Sequence, residues 1–389
     1  GYAGTGKTTI VENISNYLKG NNKKAFIAAP TNKAVARLSE VAKNKYDANF
    51  STLHQILYGE PDPTTGEWIS KIDLDPDKNV LVIDEASMID DSVWKDIQKD
   101  VIGKGVKVIL IGDGFQLPPV GSDPRLMEQH SQKGSQLLNV VRQAADSAII
   151  KLATALRVAR VPIVPESSQG DVEVLPPTEI NSLFFNDVKE NKDSVMLVGA
   201  NKMRLALNSQ ARNVKFGVFA NTPLLEGDRL IAVSNSSIRK NGESFVITET
   251  MANSLSGPIN VQMKPNLNNP NKIDTVPIYH FVTKYGSNQF LAPNLYGASF
   301  HIRQLTDDSL SMLVNSYPDA FQTNDKGQTL PQNDTNINTY GYAITGHKSQ
   351  GSQWDSVYIG TGFFGDNELQ ARWLYTAVTR ASNKLFLSQ

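Results

Sequence analysis

Short apolar runs recur along the chain, separated by stretches with helical periodicity. Ala25–Ala29, Val80–Ile83 and Val106–Ile111 are continuous or nearly so, as in strands buried on both faces of a parallel sheet. Between them, Thr9–Lys19 places Ile10, Ile14 and Leu18 on one helical face, and a helix-like stretch runs on from Pro30-Thr31-Asn32 to about Lys45. The strands end in polar residues, Asp84-Glu85 after Ile83 and Gly112-Asp113 after Ile111. Ligand chemistry gathers at that edge of such a sheet. A second unit of the same kind begins after about Asn139, with a helix near Ala144–Arg157, a strand at Val195–Val198 and a helix at Asn201–Asn213.

The pattern then changes. From about Lys215 to Asn333 helical periodicity is weak and Asn, Ser, Gly and Pro are frequent. Leu230–Val233, Phe245–Thr248, Ile278–Val282 and Phe300–Leu305 read as strands, Asn241-Gly242 as a turn, and Pro265–Pro270 as an exposed loop. The α/β pattern resumes with a strand at Ser356–Ile359, a helix near Glu368–Thr379 and a strand at Lys384–Leu387. The expected division is therefore 1–139 for one α/β domain, 140–214 with 336–389 for a second, and 215–335 for a β-rich insertion. The fold class is α/β.

Composition narrows the choice. Of 389 residues, 40% are hydrophobic and 20% charged, enough apolar side chain for several cores and too much for a wholly disordered chain. No apolar run approaches the roughly 20 residues that span a bilayer, so no membrane association is expected. With 38 basic and 39 acidic residues the net charge is −1, which argues against a protein that coats nucleic acid with its whole surface and leaves room for a local basic groove. There are no cysteines, hence no disulfides or thiolate chemistry, and the five histidines lack metal-ligand spacing. No targeting segment is visible, so the expected location is cytoplasmic.

The first eight residues change the picture. Gly1-Tyr2-Ala3-Gly4-Thr5-Gly6-Lys7-Thr8 fits the P-loop pattern G-x-x-x-x-G-K-[ST]. A chance match in a chain of this length has odds of roughly one in a hundred. Gly1, Ala3, Gly4, Thr5 and Gly6 are the residues whose backbone would close around ATP phosphates at a helix N-terminus that begins with Lys7, Thr8 and Thr9. Lys7 would reach the β- and γ-phosphates, and the Thr8 hydroxyl would sit on Mg²⁺. A P-loop normally follows a buried strand, so that strand and the residues contacting the base are expected upstream of Gly1 in a longer parent chain.

Asp84-Glu85 supplies the matching half of a nucleotide hydrolysis site. Asp84 would hold Mg²⁺ through water, and Glu85 would orient and deprotonate the attacking water. An Asp-Glu pair after a strand is common; its weight comes from the P-loop upstream.

The segment Gly112-Asp113-Gly114-Phe115-Gln116-Leu117-Pro118-Pro119-Val120 resembles motif III of superfamily 1 helicases, in the form found in RecD-like enzymes. Others follow in order. Ala29-Pro30-Thr31-Asn32-Lys33-Ala34 resembles motif Ia, and Ser51-Thr52-Leu53-His54 a segment that contacts the nucleic-acid backbone. Leu138-Asn139-Val140-Val141-Arg142-Gln143 resembles motif IV, Ala343-Ile344-Thr345-Gly346-His347-Lys348-Ser349-Gln350-Gly351-Ser352-Gln353-Trp354-Asp355 motif V, and Leu374-Tyr375-Thr376-Ala377-Val378-Thr379-Arg380-Ala381 motif VI. Within the superfamily the chain is similar to the RecD and Dda group, small motors of bacteria and T-even-type phages.

The resemblance implies two RecA-like domains with ATP between them, an SH3-like domain at 215–335, and single-stranded DNA as the track, followed 5′ to 3′ by a monomeric motor. DNA forks and replication or recombination proteins would be its partners. Gln116 would sense the γ-phosphate, and Arg142 and Arg380 would place positive charge on the transferring group. Gly351 would lie at the nucleotide. Pro30, Thr31, Asn32, Thr52, His54, Thr345, His347 and Lys348 would touch the nucleic acid, mainly its phosphates. Gln353 stands where many relatives carry glutamate. The span Tyr58–Asn79, with Trp68, takes the place of a strand-separating insertion; Trp68 reads equally as a wedge or as ordinary packing. Thr52 and His54 could instead cap a helix, and His347 could be a core histidine. Three other readings stay open: an RNA-directed helicase of the same superfamily, a non-motor P-loop NTPase, and an inactive binding module.

Overall fold

The computed structural model describes residues 5, 7–31, 34–36, 38–39, 48–61, 68–69, 73–119, 134–135, 137, 147–218, 224–233, 239, 242–262, 275–283, 287–292, 305–323, 329–332, 335–360 and 365–389. The chain forms two compact units. One contains Gly1–Glu60, Trp68–Ile180 and Ser349–Gln389, the other Pro61–Glu67 and Asn181–Lys348.

The first unit opens with helix α1 (Lys7–Gly20), strand β1 (Lys24–Ala29), strand β2 (Ala48–Thr52), helix α2 (Leu53–Tyr58), strand β3 (Asn79–Ile83), helix α3 (Asp91–Asp100) and strand β4 (Lys107–Leu110). The four strands form one parallel sheet in the order β2-β1-β3-β4. Side chains alternate between its two faces. Ala25, Ile27, Ala29, Val80 and Val82 pack with Val11 and Leu18 of α1, while Phe26, Ala28, Leu81 and Ile83 pack with Leu53, Ile56, Val93 and Ile97 of α2 and α3. Because both faces are buried, β1 and β3 read as unbroken apolar runs rather than as alternating ones. Helix α4 (Ala148–Ala159) and strand β5 (Val172–Leu175) follow, and helix α5 (Pro177–Lys189) carries the chain into the second unit.

There, strand β6 (Ser194–Val198) and helix α6 (Asn201–Phe216) precede β7 (Arg229–Ala232), β8 (Ser244–Val246), α7 (Glu249–Asn253), β9 (Ile259–Gln262), β10 (Thr275–Val282), β11 (Asn288–Leu291), α8 (Asp307–Ser316), β12 (Asn336–Tyr340) and β13 (Ala343–Thr345). A six-stranded sheet runs β8-β7-β12-β11-β10-β9, antiparallel except for the β11–β12 pair. The β7–β8 hairpin closes at Gly242, whose φ of +88° suits glycine. β13 pairs in parallel with β6.

The chain then returns to the first unit with β14 (Trp354–Ile359), α9 (Asn367–Val378) and β15 (Ala381–Ser388). β15 lies parallel between β14 and β5, and α9 packs against α4.

Helix α8 lies within 215–333, the stretch where helical periodicity is weak. Thr306 caps it, its hydroxyl accepting from Ser309 N at 3.4 Å, with Asp307 and Asp308 in the first turn and Leu313 buried. Those residues are a helix-start signal that the surrounding Asn- and Ser-rich sequence obscured. The expected strand Phe300–Leu305 lies outside the described residues except for the buried Leu305, and the loop Pro265–Pro270 lies wholly outside them. No described helix is long and apolar enough to cross a membrane.

Candidate nucleotide and nucleic-acid site

Parallel register brings the candidate residues of the first unit to one sheet edge. Ala28 pairs with Ile83, Ile83 with Leu110, and Ala29 with Thr52. The segments that leave these strands, Pro30-Thr31, Leu53-His54, Asp84-Glu85 and Ile111–Gln116, therefore emerge side by side, with neighbouring strands roughly 4.8 Å apart. Asp84 is buried and its N–H donates to Ala28 O at 2.8 Å, which ties it to the end of β1. Glu85 adopts a left-handed conformation, φ +51° and ψ +38°, that a non-glycine residue occupies at a cost. Its Oε2 is buried and has no hydrogen-bond partner.

The loop after β4 continues the same edge. Gln116 is 5% exposed, its N–H donates to Asp113 O at 3.1 Å, and its Oε1 is buried without a partner. Buried polar atoms are nearly always matched. Two unmatched acceptor oxygens on neighbouring segments of one sheet edge fit a site that receives a hydrogen-bond donor, such as a lytic water. Lys7 begins α1, and Thr5, just before it, is buried. Gly1, Ala3, Gly4, Gly6 and the Thr8 side chain lie outside the described residues, and Thr9 is exposed on α1.

The loop 112–117 is fastened to α9. Leu117 N donates to Thr376 Oγ1 at 2.9 Å, and Arg372 Nη1 donates to Gly114 O at 2.5 Å while its guanidinium stands 5.0 Å from the Phe115 ring. Gln350 Nε2 donates to Leu117 O at 2.8 Å. Asp113, fully buried, accepts from Phe115 N at 3.2 Å, from the Tyr375 hydroxyl and from Arg157. Burial and the Asp113 charge push the Tyr375 phenol well above its ordinary range. Burial, the largest single effect, works to lower Arg157, but the charges and hydrogen bonds of Asp113 and Tyr375 together raise that guanidinium.

Arg380 follows α9 and is 5% exposed. Its guanidinium donates to Thr376 O at 3.0 Å, Ser352 O at 3.2 Å and Thr379 Oγ1 at 3.0 Å, so it is held by its own helix end and by the motif V segment. It belongs to the same compact unit as Lys7, Asp84 and Gln116. Arg142 lies outside the described residues.

Gly351 has φ +75°, and a Cβ placed on it would stand 3.9 Å from Thr31 Oγ1, so the structure brings this glycine to motif Ia. Thr31 Oγ1 accepts from Ala34 N at 3.2 Å; Asn32 lies outside the described residues. Thr52 builds a capping box for α2, its Oγ1 accepting from Gln55 N at 3.2 Å and its N–H donating to Gln55 Oε1 at 2.7 Å. His54 is exposed on α2, its ring edge-on to Tyr58 at 5.4 Å. The Trp68 side chain lies outside the described residues.

In the second unit, β13 leads through Thr345 into the helical turn Gly346–Ser349. Lys348 Nζ is buried with no hydrogen-bond partner. Burial, and after it the charge of Arg204, push this ammonium down to about 8. Burial also lowers the imidazole of His347. An unpaired buried ammonium invites an anion. Sequence reasoning did not single out Asp113 or Tyr375 as partners; 262 residues separate them, and only their presence in motifs III and VI marks them.

Comparison with known proteins agrees with these motifs. The model of a AAA domain family matches residues 1–174, and that of the UvrD-like helicase C-terminal domain matches residues 340–388. The chain is 29% identical over 177 residues to the ATP-dependent RecD2 DNA helicase of Deinococcus radiodurans, covering 45% of this chain and 24% of that one. It is 37% identical over 141 residues to the RecBCD enzyme subunit RecD of Buchnera aphidicola, covering 31% of this chain and 22% of that one. It thus spans about a quarter of the length of these two relatives. Among solved structures, the Pif1 helicase from Candida albicans superposes with a TM-score of 0.50 at 16% identity, over 100% of this chain and 89% of that one.

Proposed function

We propose that the chain is a RecD/Pif1-like helicase of superfamily 1, an ATP-driven motor on single-stranded DNA that opens DNA forks, moving 5′ to 3′; the matches to the AAA-domain and UvrD-like helicase C-terminal models support the reading. The observation that carries the reading is the pair of orphaned buried oxygens, Glu85 Oε2 and Gln116 Oε1, at the edge of a parallel sheet. In this reading Glu85 would take a proton from water, and Gln116 would accept from that water through Oε1 and read the terminal phosphate through its Nε2 amide. Lys7, with Thr5 and Thr9 about the α1 N-terminus and Gly1, Ala3, Gly4 and Gly6 before it, would hold ATP phosphates. Thr8 and Asp84 would hold Mg²⁺, which supplies charge neutralisation at the phosphates.

Arg380 and Arg142 are assigned to the developing charge on the transferred group. For Arg380 to act, some of its three hydrogen bonds must be exchanged, so its engagement is coupled to a shift of the α9 end against Ser352. Gln116 lies in the loop fastened to α9, and a change at the terminal phosphate therefore has a short, bonded route to that helix. Gly351, beside Thr31, is assigned to the nucleotide. Pro30, Thr31, Asn32, Thr52, His54, Thr345, His347 and Lys348 are assigned to the nucleic acid. For Thr52 that role falls to its surroundings as much as to its hydroxyl, which the α2 cap uses. The domain division 1–139, 140–214 with 336–389, and 215–335 as an SH3-like insertion belongs to the same proposal, as do monomeric action and work with replication or recombination proteins.

A duplex with a single 5′ tail, compared with one bearing a single 3′ tail, tests the reading. ATP-dependent strand release from the 5′-tailed substrate supports it, release only from the 3′-tailed substrate overturns the polarity, and release only from RNA-tailed substrates transfers the enzyme to RNA.

A further inference from the structure

Helix α6 turns a polar face inward. Arg204, Asn208 and Arg212 recur at four-residue spacing and are 3%, 2% and 0% exposed. Asn208, in the middle, spends its whole amide on backbone. Its Oδ1 accepts from Tyr342 N and Ala343 N, both at 2.9 Å, and its Nδ2 donates to Ala343 O and Arg204 O, both at 2.9 Å. One turn further on, Arg212 grips Asp228 through Nε at 2.9 Å and Nη2 at 2.8 Å, and its guanidinium lies 4.6 Å from the Tyr340 ring. Asp228 also accepts from the Tyr342 hydroxyl at 3.0 Å. One turn back, Arg204 donates to Asn201 Oδ1 at 3.1 Å and lies near enough to Lys348 for the two charges to repel. The three side chains thus engage the segment 340–348 in reverse order, from Tyr340 to Lys348.

Among the described residues β13 pairs with one strand only, β6. Asn208 acts where a second neighbouring strand would, and it does so at the residues that lead into Thr345, His347 and Lys348. A slip of one residue along β13 would turn Thr345 to the opposite face and carry the turn that holds His347 and Lys348 with it, and an apolar side chain at 208 would leave the Tyr342 and Ala343 backbone groups unmatched. We propose that the Arg204–Asn208–Arg212 face of α6 sets the register of the motif V segment, making Asn208 a positioning residue for nucleic-acid binding that never touches the strand. The inference rests on the function proposed above.

Asn208→Asp is the direct test, because it keeps the shape and both accepted hydrogen bonds and replaces the donor Nδ2 with an oxygen facing two carbonyls. In the full chain, fluorescence anisotropy with labelled oligo-dT and ATPase with and without oligo-dT are read beside the thermal midpoint. The expected result is a Kd raised roughly tenfold, from the two lost hydrogen bonds, and a fall in stimulated ATPase that exceeds any fall in basal ATPase. Arg204→Gln is the second variant, and it decides the matter if Asn208→Asp does not fold. Removing that charge should move the alkaline limb of oligo-dT affinity to higher pH, which a purely structural role would not do. Oligo-dT binding as tight as wild type in a destabilised Asn208→Asp, or an unmoved pH profile in Arg204→Gln, overturns the proposal. A wild-type chain indifferent to oligo-dT overturns the functional reading itself and this inference with it.

Discussion

The Tyr375 hydroxyl donates to the carboxylate of Asp113, and the Arg157 guanidinium reaches the same buried carboxylate from α4. The loop that carries Gln116 and the helix that precedes Arg380 therefore share one charged node. Removing Asp113 takes the buried carboxylate from Arg157 and Tyr375, and Asp113→Ala should cost about 3–5 kcal/mol in urea unfolding. Tyr375→Phe deletes the hydroxyl's hydrogen bond to the Asp113 carboxylate and the long one, 3.5 Å, that it accepts from Arg157, and should cost about 1.5–3 kcal/mol. Losses under about 0.5 kcal/mol for both would mean that the node contributes nothing net to stability.

Glu85→Gln removes the proton acceptor while keeping the size of the side chain. ATP turnover should fall by about 10²–10⁴-fold, the range of general-base contributions. ATP binding, followed with a fluorescent analogue, should persist, because Glu85 is assigned to water rather than to phosphate. Turnover within threefold of wild type would remove Glu85 from the chemistry.

Lys348 gives a pH signature with two opposite signs. Its ammonium is pushed down to about 8 by burial and then by Arg204. DNA phosphate needs the charged form, so oligonucleotide affinity should fall as pH rises through about 8. Stability should move the other way. Between that value and the ordinary lysine pKa of roughly 10.4, the unfolded chain binds the proton that the folded chain has lost, so Lys348 adds stability as pH rises. Lys348→Met should flatten both trends. An alkaline affinity limb that survives Lys348→Met would assign it to another group.

Gly351 holds φ at +75°, and a Cβ there would meet Thr31 Oγ1 at an ordinary 3.9 Å. Gly351→Ala should therefore cost backbone strain alone, about 1–2 kcal/mol, visible as a lower denaturation midpoint. A neutral substitution would show that the left-handed turn relaxes at little cost.

Much of this was legible in the sequence where the physics is local. Val80–Ile83 announces a strand buried on both faces, and the carboxylates behind it stand at its C-terminal end. The Thr52-Gln55 cap follows from adjacent residue types, so the alternative of a local cap for Thr52 was visible as well. What stayed hidden depends on partners distant in the chain. Short strands such as β5 and β13 carry little pattern of their own, and pairing with β15 and β6 makes them strands. The buried face of α6 reads as an ordinary polar helix surface until Tyr342 and Asp228 are brought against it. Asp113 reads as part of a loop motif, and its role as a node requires Arg157 and Tyr375 from two separate helices.

ATP hydrolysis at the Asp84-Glu85 edge is proposed to drive movement on single-stranded DNA. Steady-state ATPase of the full chain, with and without oligo-dT and beside Glu85→Gln, is the first experiment. Low basal turnover, strong stimulation by oligo-dT and loss of both in the variant are expected. Turnover that ignores oligo-dT, or that survives Glu85→Gln, would contradict the proposal.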